Sequence, residues 1–271
     1  MNVTFLAAFV SAASLLLTLQ AYAAATEWNE QDGARIRLIV AEPAPDATEI
    51  RAALQVELKP GWKTYWRDPG DAGVPPQINF EGSSNIASFS MAYPAPDRFD
   101  DGKSVWAGYQ HPVSFPLTLK LTKAGALTRI NASSFLGICD EICVPVQVNF
   151  ALDVPVATGS TGDAALVGSL FDALPKAASP NFQISKALQK GSILEFELIA
   201  PVSDKSPEVF LAADGFMFGA PKLIASLKET SRYSAAIVFA PTNAKLEDLD
   251  IHYTVKSGAM AMSGETRVLA N

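Results

Sequence analysis

Cys139 and Cys143 are the only cysteines in this 271-residue chain, set three residues apart in Phe135-Leu-Gly-Ile-Cys-Asp-Glu-Ile-Cys-Val-Pro145. Bonded to each other they close a loop of about five residues. Such a loop stabilises a fold by only ~2 kcal/mol in the chain-entropy view, against ~3 kcal/mol for about fifteen residues. A bridge placed as a brace would span more chain, so the pair reads as a reversible dithiol/disulfide switch. Two other readings compete: an inert hairpin staple, and a metal site, which would lack histidines at ligand spacing.

Geometry constrains the pair further. An extended strand would hold the two α-carbons well beyond the roughly 4.4–6.8 Å that a disulfide spans. A turn must intervene, and Asp140, Glu141 and Ile142 as a three-residue hairpin loop would set Cys139 opposite Cys143 on neighbouring strands. The carboxylates of Asp140 and Glu141, lying between the thiols, should raise their pKa by like-charge repulsion and slow them as nucleophiles at rest.

The elements that hold this hairpin are strands. Period-two alternation recurs at Arg35–Val40, Ile50–Leu58, Gln77–Glu81, Ile86–Tyr93, Val113–Leu121, Leu127–Phe135 and Val144–Val154, the pattern of half-buried β-structure. With no long helical pattern between them, these runs predict an antiparallel β-sandwich. Pro116 and Pro145 cannot donate to a ladder, so their strands are expected to be edges or bulged there.

A small-residue linker, Ala157-Thr-Gly-Ser-Thr-Gly162, leads into one helix, with Asp163 as N-cap, Leu166, Val167, Leu170, Phe171 and Leu174 on one face, and Pro175 as the stop. Seven further strand-like runs follow near Gln183, Ile193, Val209, Leu223, Tyr233, Ile251 and Glu265, which fits a second immunoglobulin-like sandwich. The predicted fold class is therefore all-β: two immunoglobulin-like antiparallel β-sandwich domains joined by a linker with one short helix. The boundaries read as 1–25 leader, 26–156 cysteine-bearing domain, 157–178 linker and helix, and 179–271 second domain. The second domain has no cysteine and no clustered titratable residues, and reads as a support or docking module.

Residues 1–25 are an uncharged apolar run ending in Ala21-Tyr-Ala23, the form of a signal peptide with an A-x-A cleavage site. The alternative is an uncleaved N-terminal membrane anchor, since no Lys or Arg precedes the apolar run. Export to an oxidising space such as the periplasm would let a disulfide form and persist. The net charge of −7 argues against nucleic acid or an anionic membrane as partner, either of which favours a basic face. No cofactor and no small-molecule substrate are expected.

Other chemistry-bearing residues are sparse. Trp62-Lys-Thr-Tyr-Trp-Arg-Asp68 is the richest aromatic cluster, and its alternation would place Trp62 and Trp66 on one face with Tyr65 on the other. Tyr65 and Asp68 are candidates for side chains near the dithiol, where an acidic group can handle protons. His111 and His252 read as solvated surface residues. Met260 and Met262, with the thiols, raise the alternative of a copper-binding protein, since soft sulfur suits Cu(I). A non-catalytic structural adaptor is the remaining alternative.

Several ordered pieces resemble the N-terminal periplasmic domain of the DsbD thiol:disulfide interchange family, and more closely that of its ScsB-type relatives, which are linked to copper tolerance. They are Lys59-Pro-Gly-Trp-Lys-Thr-Tyr-Trp-Arg-Asp-Pro-Gly-Asp-Ala-Gly-Val-Pro-Pro76, Tyr93-Pro-Ala-Pro-Asp-Arg-Phe99, Gly108-Tyr109, Phe115-Pro-Leu117 and the Cys139–Pro145 motif. The series covers roughly residues 34–154.

This resemblance implies an immunoglobulin-like domain acting as a protein-disulfide reductase-type relay. A membrane-embedded thiol reductase of DsbD or CcdA type would reduce its disulfide, and the dithiol would then reduce thioredoxin-fold periplasmic proteins through mixed disulfides. It assigns the mixed disulfide to Cys143 and its resolution to Cys139. It also implies a cap loop at Asp97-Arg-Phe-Asp-Asp-Gly-Lys103, with Phe99 as the lid. The chain shows neither the membrane helices nor the thioredoxin-like domain of a complete reductase, so its membrane partner is expected in trans. The cysteine spacing is also shorter than in the best-known DsbD type. The pathway served, whether cytochrome c biogenesis, copper tolerance or disulfide correction, does not follow from the motifs.

Overall fold

The computed structural model describes residues 25–70, 73–100, 102, 104–155, 162–201, 203, 206–227, 230–242 and 244–269. The expected leader lies outside these residues except for Ala25, as does most of the linker.

Short alternating runs punctuated by Pro, Gly and Asp become strands throughout. The first half holds β1 (Asn29–Glu30), β2 (Ala34–Val40), β3 (Glu49–Leu58), β4 (Thr64–Gly70), β5 (Gln77–Asn79), β6 (Ile86–Met91), β7 (Asp97–Asp100), β8 (Val105–Tyr109), β9 (Val113–Leu121), β10 (Thr128–Cys139) and β11 (Cys143–Val154). Helix α1 (Gly162–Asp172) follows. The second half holds β12 (Lys176–Ala177), β13 (Gln183–Lys190), β14 (Ile193–Ile199), β15 (Glu208–Ala212), β16 (Met217–Phe218), β17 (Lys222–Leu227), β18 (Thr230–Phe239), β19 (Ile251–Ser257) and β20 (Met260–Thr266).

In the first half one sheet is ordered β1-β2-β3-β9-β6 and a second β11-β10-β5, while β4, β8 and β7 form a small third sheet. Alternation decides what each strand buries. Ile36 and Leu38 of β2 and Ile50 and Leu54 of β3 meet Ile130, Leu136 and Ile138 of β10 in one core. On the other face of the same sheet, Ile39 and Ala53 are covered by Val167 of α1, all three fully buried. Each such Ile, Leu or Val side chain contributes roughly 1.5–3 kcal/mol by leaving water. The fold is the expected all-β, immunoglobulin-like class.

Details differ from the sequence reading. Asp163 is inside the first turn of α1 and is not its N-cap, so its carboxylate meets the positive end of the helix dipole. Leu166 is 37% exposed, off the stripe that Val167, Leu170 and Phe171 present to the sheet. Pro116 is on neither an edge nor a bulge relative to β3: β9 lies between β3 and β6, with Pro116 in register opposite Ala53. Its carbonyl accepts from Ala92, just past the end of β6. The missing N–H faces that same side, where no ladder partner continues. Pro145 does lie on an edge strand, β11.

The seven expected runs of the second half are all strands, arranged as β12-β20-β19-β15 and as β13-β14-β18 with β16 and β17 beside β18. Strand β15 serves two cores. Its Val209 and Leu211 enter the second core, whereas Phe210 and Ala212, on the opposite face, enter the first. Phe210 meets Trp66 edge-on at 5.9 Å, so the two halves share a packed seam.

Candidate functional site

Strands β10 and β11 pair without interruption from Thr128↔Val154 to Cys139↔Cys143. Asp140–Ile142 is the three-residue loop, with the Asp140 N–H donating to the Ile142 carbonyl at 3.3 Å. The two cysteines are disulfide-bonded, their α-carbons 4.0 Å apart.

The two sulfurs have unequal surroundings. Cys139 is fully buried, because its other side is closed by Lys63: the two residues exchange backbone hydrogen bonds of 2.8 and 2.9 Å. Its side chain packs with Tyr65 and Trp106, and Phe99 packs against the same cluster. Cys143, on the edge strand, is exposed.

Tyr65 reaches the disulfide directly, its Oη 3.3 Å from Cys143 Sγ. Alternation along β4 carries it there. Trp62 and Trp66 pack with the main core while Tyr65 turns to the cysteines. The 73–74 segment passes close over the Tyr65 ring, where a Cβ at Gly73 would sit 2.4 Å from it and where φ of +125° favours glycine.

Trp106 joins these groups. Phe99 stacks on it at 4.1 Å between ring centroids and 20° between planes, and Tyr65 meets it edge-on at 5.7 Å. Lys63 Nζ lies 4.5 Å from the Trp106 ring centroid, within cation–π range. Phe99, on β7, faces Trp106 of β8 directly in the ladder.

The remaining candidates are dispersed. Asp140 and Glu141 are exposed at the hairpin tip. Asp97 is exposed and ion-paired with Lys256 of the second half. Asp68 is buried in the seam beside Arg98, Phe210 and Phe218 and is not part of the cysteine cluster. Its Oδ1 accepts from the Gly70 N–H at 2.9 Å. The Phe218 N–H favours its charged form without meeting hydrogen-bond geometry, so Oδ2 has no partner among the described residues. Burial pushes the Asp68 carboxyl up to about 6, partly opposed by Gly70, Phe218 and Arg98. His111 is exposed, and His252 Nδ1 lies 3.1 Å from Glu265 at the seam. Met262 is buried in the second core and Met260 is 48% exposed. Among the described residues no three His, Cys, Asp or Glu side chains are grouped to hold a metal ion.

Trp106 went unnoticed in the sequence, since its strand is short and is recognisable only once β4 and β7 flank it. A buried, aromatic-lined cysteine bonded to an exposed one is suited to thiol–disulfide exchange, because an incoming thiolate can approach one sulfur while the other is shielded.

Comparison with known proteins agrees with this chemistry. Residues 35–155 match the family described as thiol:disulfide interchange protein DsbD, N-terminal. The structure is similar to the crystal structure of the N-terminal periplasmic domain of ScsB from Proteus mirabilis, with a TM-score of 0.73 and 21% sequence identity over 92% of this chain and all of that one. At that identity the likeness shows the fold. A conserved domain protein from Bacillus anthracis matches 84% of this chain and 76% of its own at 13% identity, but its TM-score of 0.26 carries no argument. No curated protein matches the chain. No helix among the described residues is long and apolar enough to cross a membrane.

Proposed function

We propose, from the premise that residues 35–155 form a domain of the DsbD N-terminal family, that this protein relays reducing equivalents in the periplasm through Cys139 and Cys143. A membrane-embedded thiol reductase supplies a dithiol. Its thiolate attacks the exposed Cys143 sulfur, Cys139 leaves as thiolate, and the donor's second thiol closes the donor disulfide. Two electrons and two protons have then passed to the pair. In the second half-reaction the Cys143 thiolate attacks the disulfide of a thioredoxin-fold protein, and Cys139 attacks the mixed disulfide to release the reduced client.

The single observation that carries this reading is the unequal exposure of the bonded pair, with Cys139 fully buried and Cys143 open on an edge strand. Tyr65 is the candidate hydrogen-bond donor to the Cys143 sulfur, and Phe99 the candidate cap over the cluster. Residues 26–156 are taken as the redox module, 157–178 as linker and helix, and 179–271 as the supporting module. Export by the leader, residues 1–25, belongs to the same proposal.

The decisive experiment is trapping. Cys139→Ser leaves Cys143 able to attack a client disulfide but removes the resolving thiol, so a mixed disulfide with a thioredoxin-fold protein should accumulate in periplasmic extract. Cys143→Ser should trap nothing. The relay is excluded if neither variant traps a partner and the wild-type disulfide resists a reduced thioredoxin-like donor.

A further inference from the structure

We infer that the second half of the chain takes part in the redox site, because Arg98 and Lys256 hold the strand that carries the Phe99 cap. The inference rests on the reading of Phe99 as the cap.

Strand β7 has only four residues and pairs with β8 alone. An edge strand of that length has little cooperative stability of its own. Alternation sets Arg98 on the face opposite Phe99, and Asp97, the first residue of the strand and exposed, also reaches the second half. Phe99 stacks on Trp106, within the cluster around Cys139. Arg98 turns the other way. Its Nη2 donates to the Val209 carbonyl at 2.7 Å, and its guanidinium lies 4.6 Å from the Phe210 ring centroid. Asp97 is ion-paired with Lys256 of β19. Val209 and Lys256 are neighbouring rungs of one ladder, since Glu208 pairs with Lys256 and Val209 with Val255. Two consecutive residues of the cap strand are thus tied to one rung region of the second half, immediately before Phe99.

The physical consequence is a coupling. Lifting Phe99 from Trp106 requires β7 to peel from β8, and that movement must break a charge-assisted hydrogen bond, a cation–π contact and an ion pair with β15 and β19. Hydrogen bonds to charged groups are among the stronger ones. The second half therefore biases the cap toward closure, and a partner that displaces the β15–β19 edge from β7 would release it. Arg98 and Lys256 are positioning residues in this sense, since neither is part of the cluster around the cysteines.

The test measures reduction of the disulfide by dithiothreitol under pseudo-first-order conditions in the full-length protein, alongside hydrogen exchange of the amides of residues 97–100. Attack falls on the exposed Cys143, but Cys139 must leave as a thiolate inside the capped aromatic cluster, and a loosened cap hydrates that leaving group. Arg98→Ala should therefore accelerate reduction roughly ten-fold and Lys256→Ala more modestly, with faster exchange confined to β7. Arg98→Lys, which keeps a charged donor, should recover part of the wild-type rate, and so should Lys256→Arg. Phe99→Ala should reduce fast by itself, and Arg98→Ala added to it should change nothing more, because the two act through the same cap. If Phe99→Ala leaves the rate unchanged, the cap reading itself is overturned. If Phe99→Ala accelerates reduction but Arg98→Ala and Lys256→Ala do not, the cap stands and the clamp is overturned. Additive effects of Arg98→Ala and Phe99→Ala also overturn the clamp. Thermal melting of each variant separates general loosening from local release. Acceleration that merely tracks a lowered Tm, with exchange rising across β13–β20, overturns the clamp, and Lys256→Ala, alone and combined with Phe99→Ala, keeps the test available should Arg98→Ala not fold.

Discussion

The Tyr65 hydroxyl lies 3.3 Å from the sulfur of Cys143, across 78 residues of chain. In the disulfide the sulfur is a weak acceptor. Once reduced, the same sulfur carries a full charge as thiolate, and a donated O–H favours that form. Tyr65→Phe is therefore predicted to disfavour the Cys143 thiolate and to slow its alkylation near pH 7 by several-fold. The pH profile of iodoacetamide modification of the reduced protein checks this. An unchanged profile would show that the hydroxyl has no electrostatic role.

The disulfide itself should matter little for stability. Its loop is short, so reduction is predicted to cost no more than about 2 kcal/mol in urea unfolding. A much larger loss would return the bridge to the role of a brace and weaken the case for a switch.

The hairpin was legible in the sequence because two constraints met there: a cysteine spacing that no extended strand permits, and alternation on both sides of it. The opposed faces of Trp66 and Tyr65 followed from alternation alone, and the structure has them so. Asp68 illustrates the limit. It lies three residues from Tyr65, an odd step that in a strand points to the opposite face, and the structure accordingly has it in the seam against the second half. What it meets there, Arg98 and Phe218, comes from distant elements whose docking no local pattern encodes. Trp106 is similar: its partners Tyr65 and Phe99 belong to separate strands of a sheet that exists only in the folded chain. Pro116 shows a local rule set aside by topology, since its missing donor falls where a neighbouring strand has already ended.

Asp68 also gives a pH prediction. Its carboxyl is pushed up to about 6 by burial, whereas in the unfolded chain it titrates near ~3.9. Between these values the folded state holds a proton that the unfolded state has lost, so this group lowers stability as pH rises from about 4 to about 6. At neutral pH the cost is on the order of 3 kcal/mol. Asp68→Asn keeps an acceptor for Gly70 and removes the buried charge. The variant should match wild type near pH 4 and exceed it in urea unfolding at pH 7.5. An advantage that is equal at both pH values would rule out ionisation as its cause.

Partner docking should depend on the apolar residues that flank the exposed sulfur. Ile142 is 78% exposed and Val144 37%, an unusual placement for two β-branched aliphatics on either side of a reactive cysteine. A thioredoxin-fold client that presents its disulfide to Cys143 must cover both. Burying an isoleucine at such a contact is worth roughly 1.5–3 kcal/mol, hence about ten-fold or more in affinity. Ile142→Ser keeps a residue suited to the hairpin loop and leaves Cys143 in place. It should leave reduction by dithiothreitol unchanged while raising the KM for a thioredoxin-fold client about ten-fold, measured by steady-state reduction of that client. An equal fall in both reactions would mean that the substitution disturbed the cysteines themselves, and no change in either would remove the hairpin tip from the docking surface.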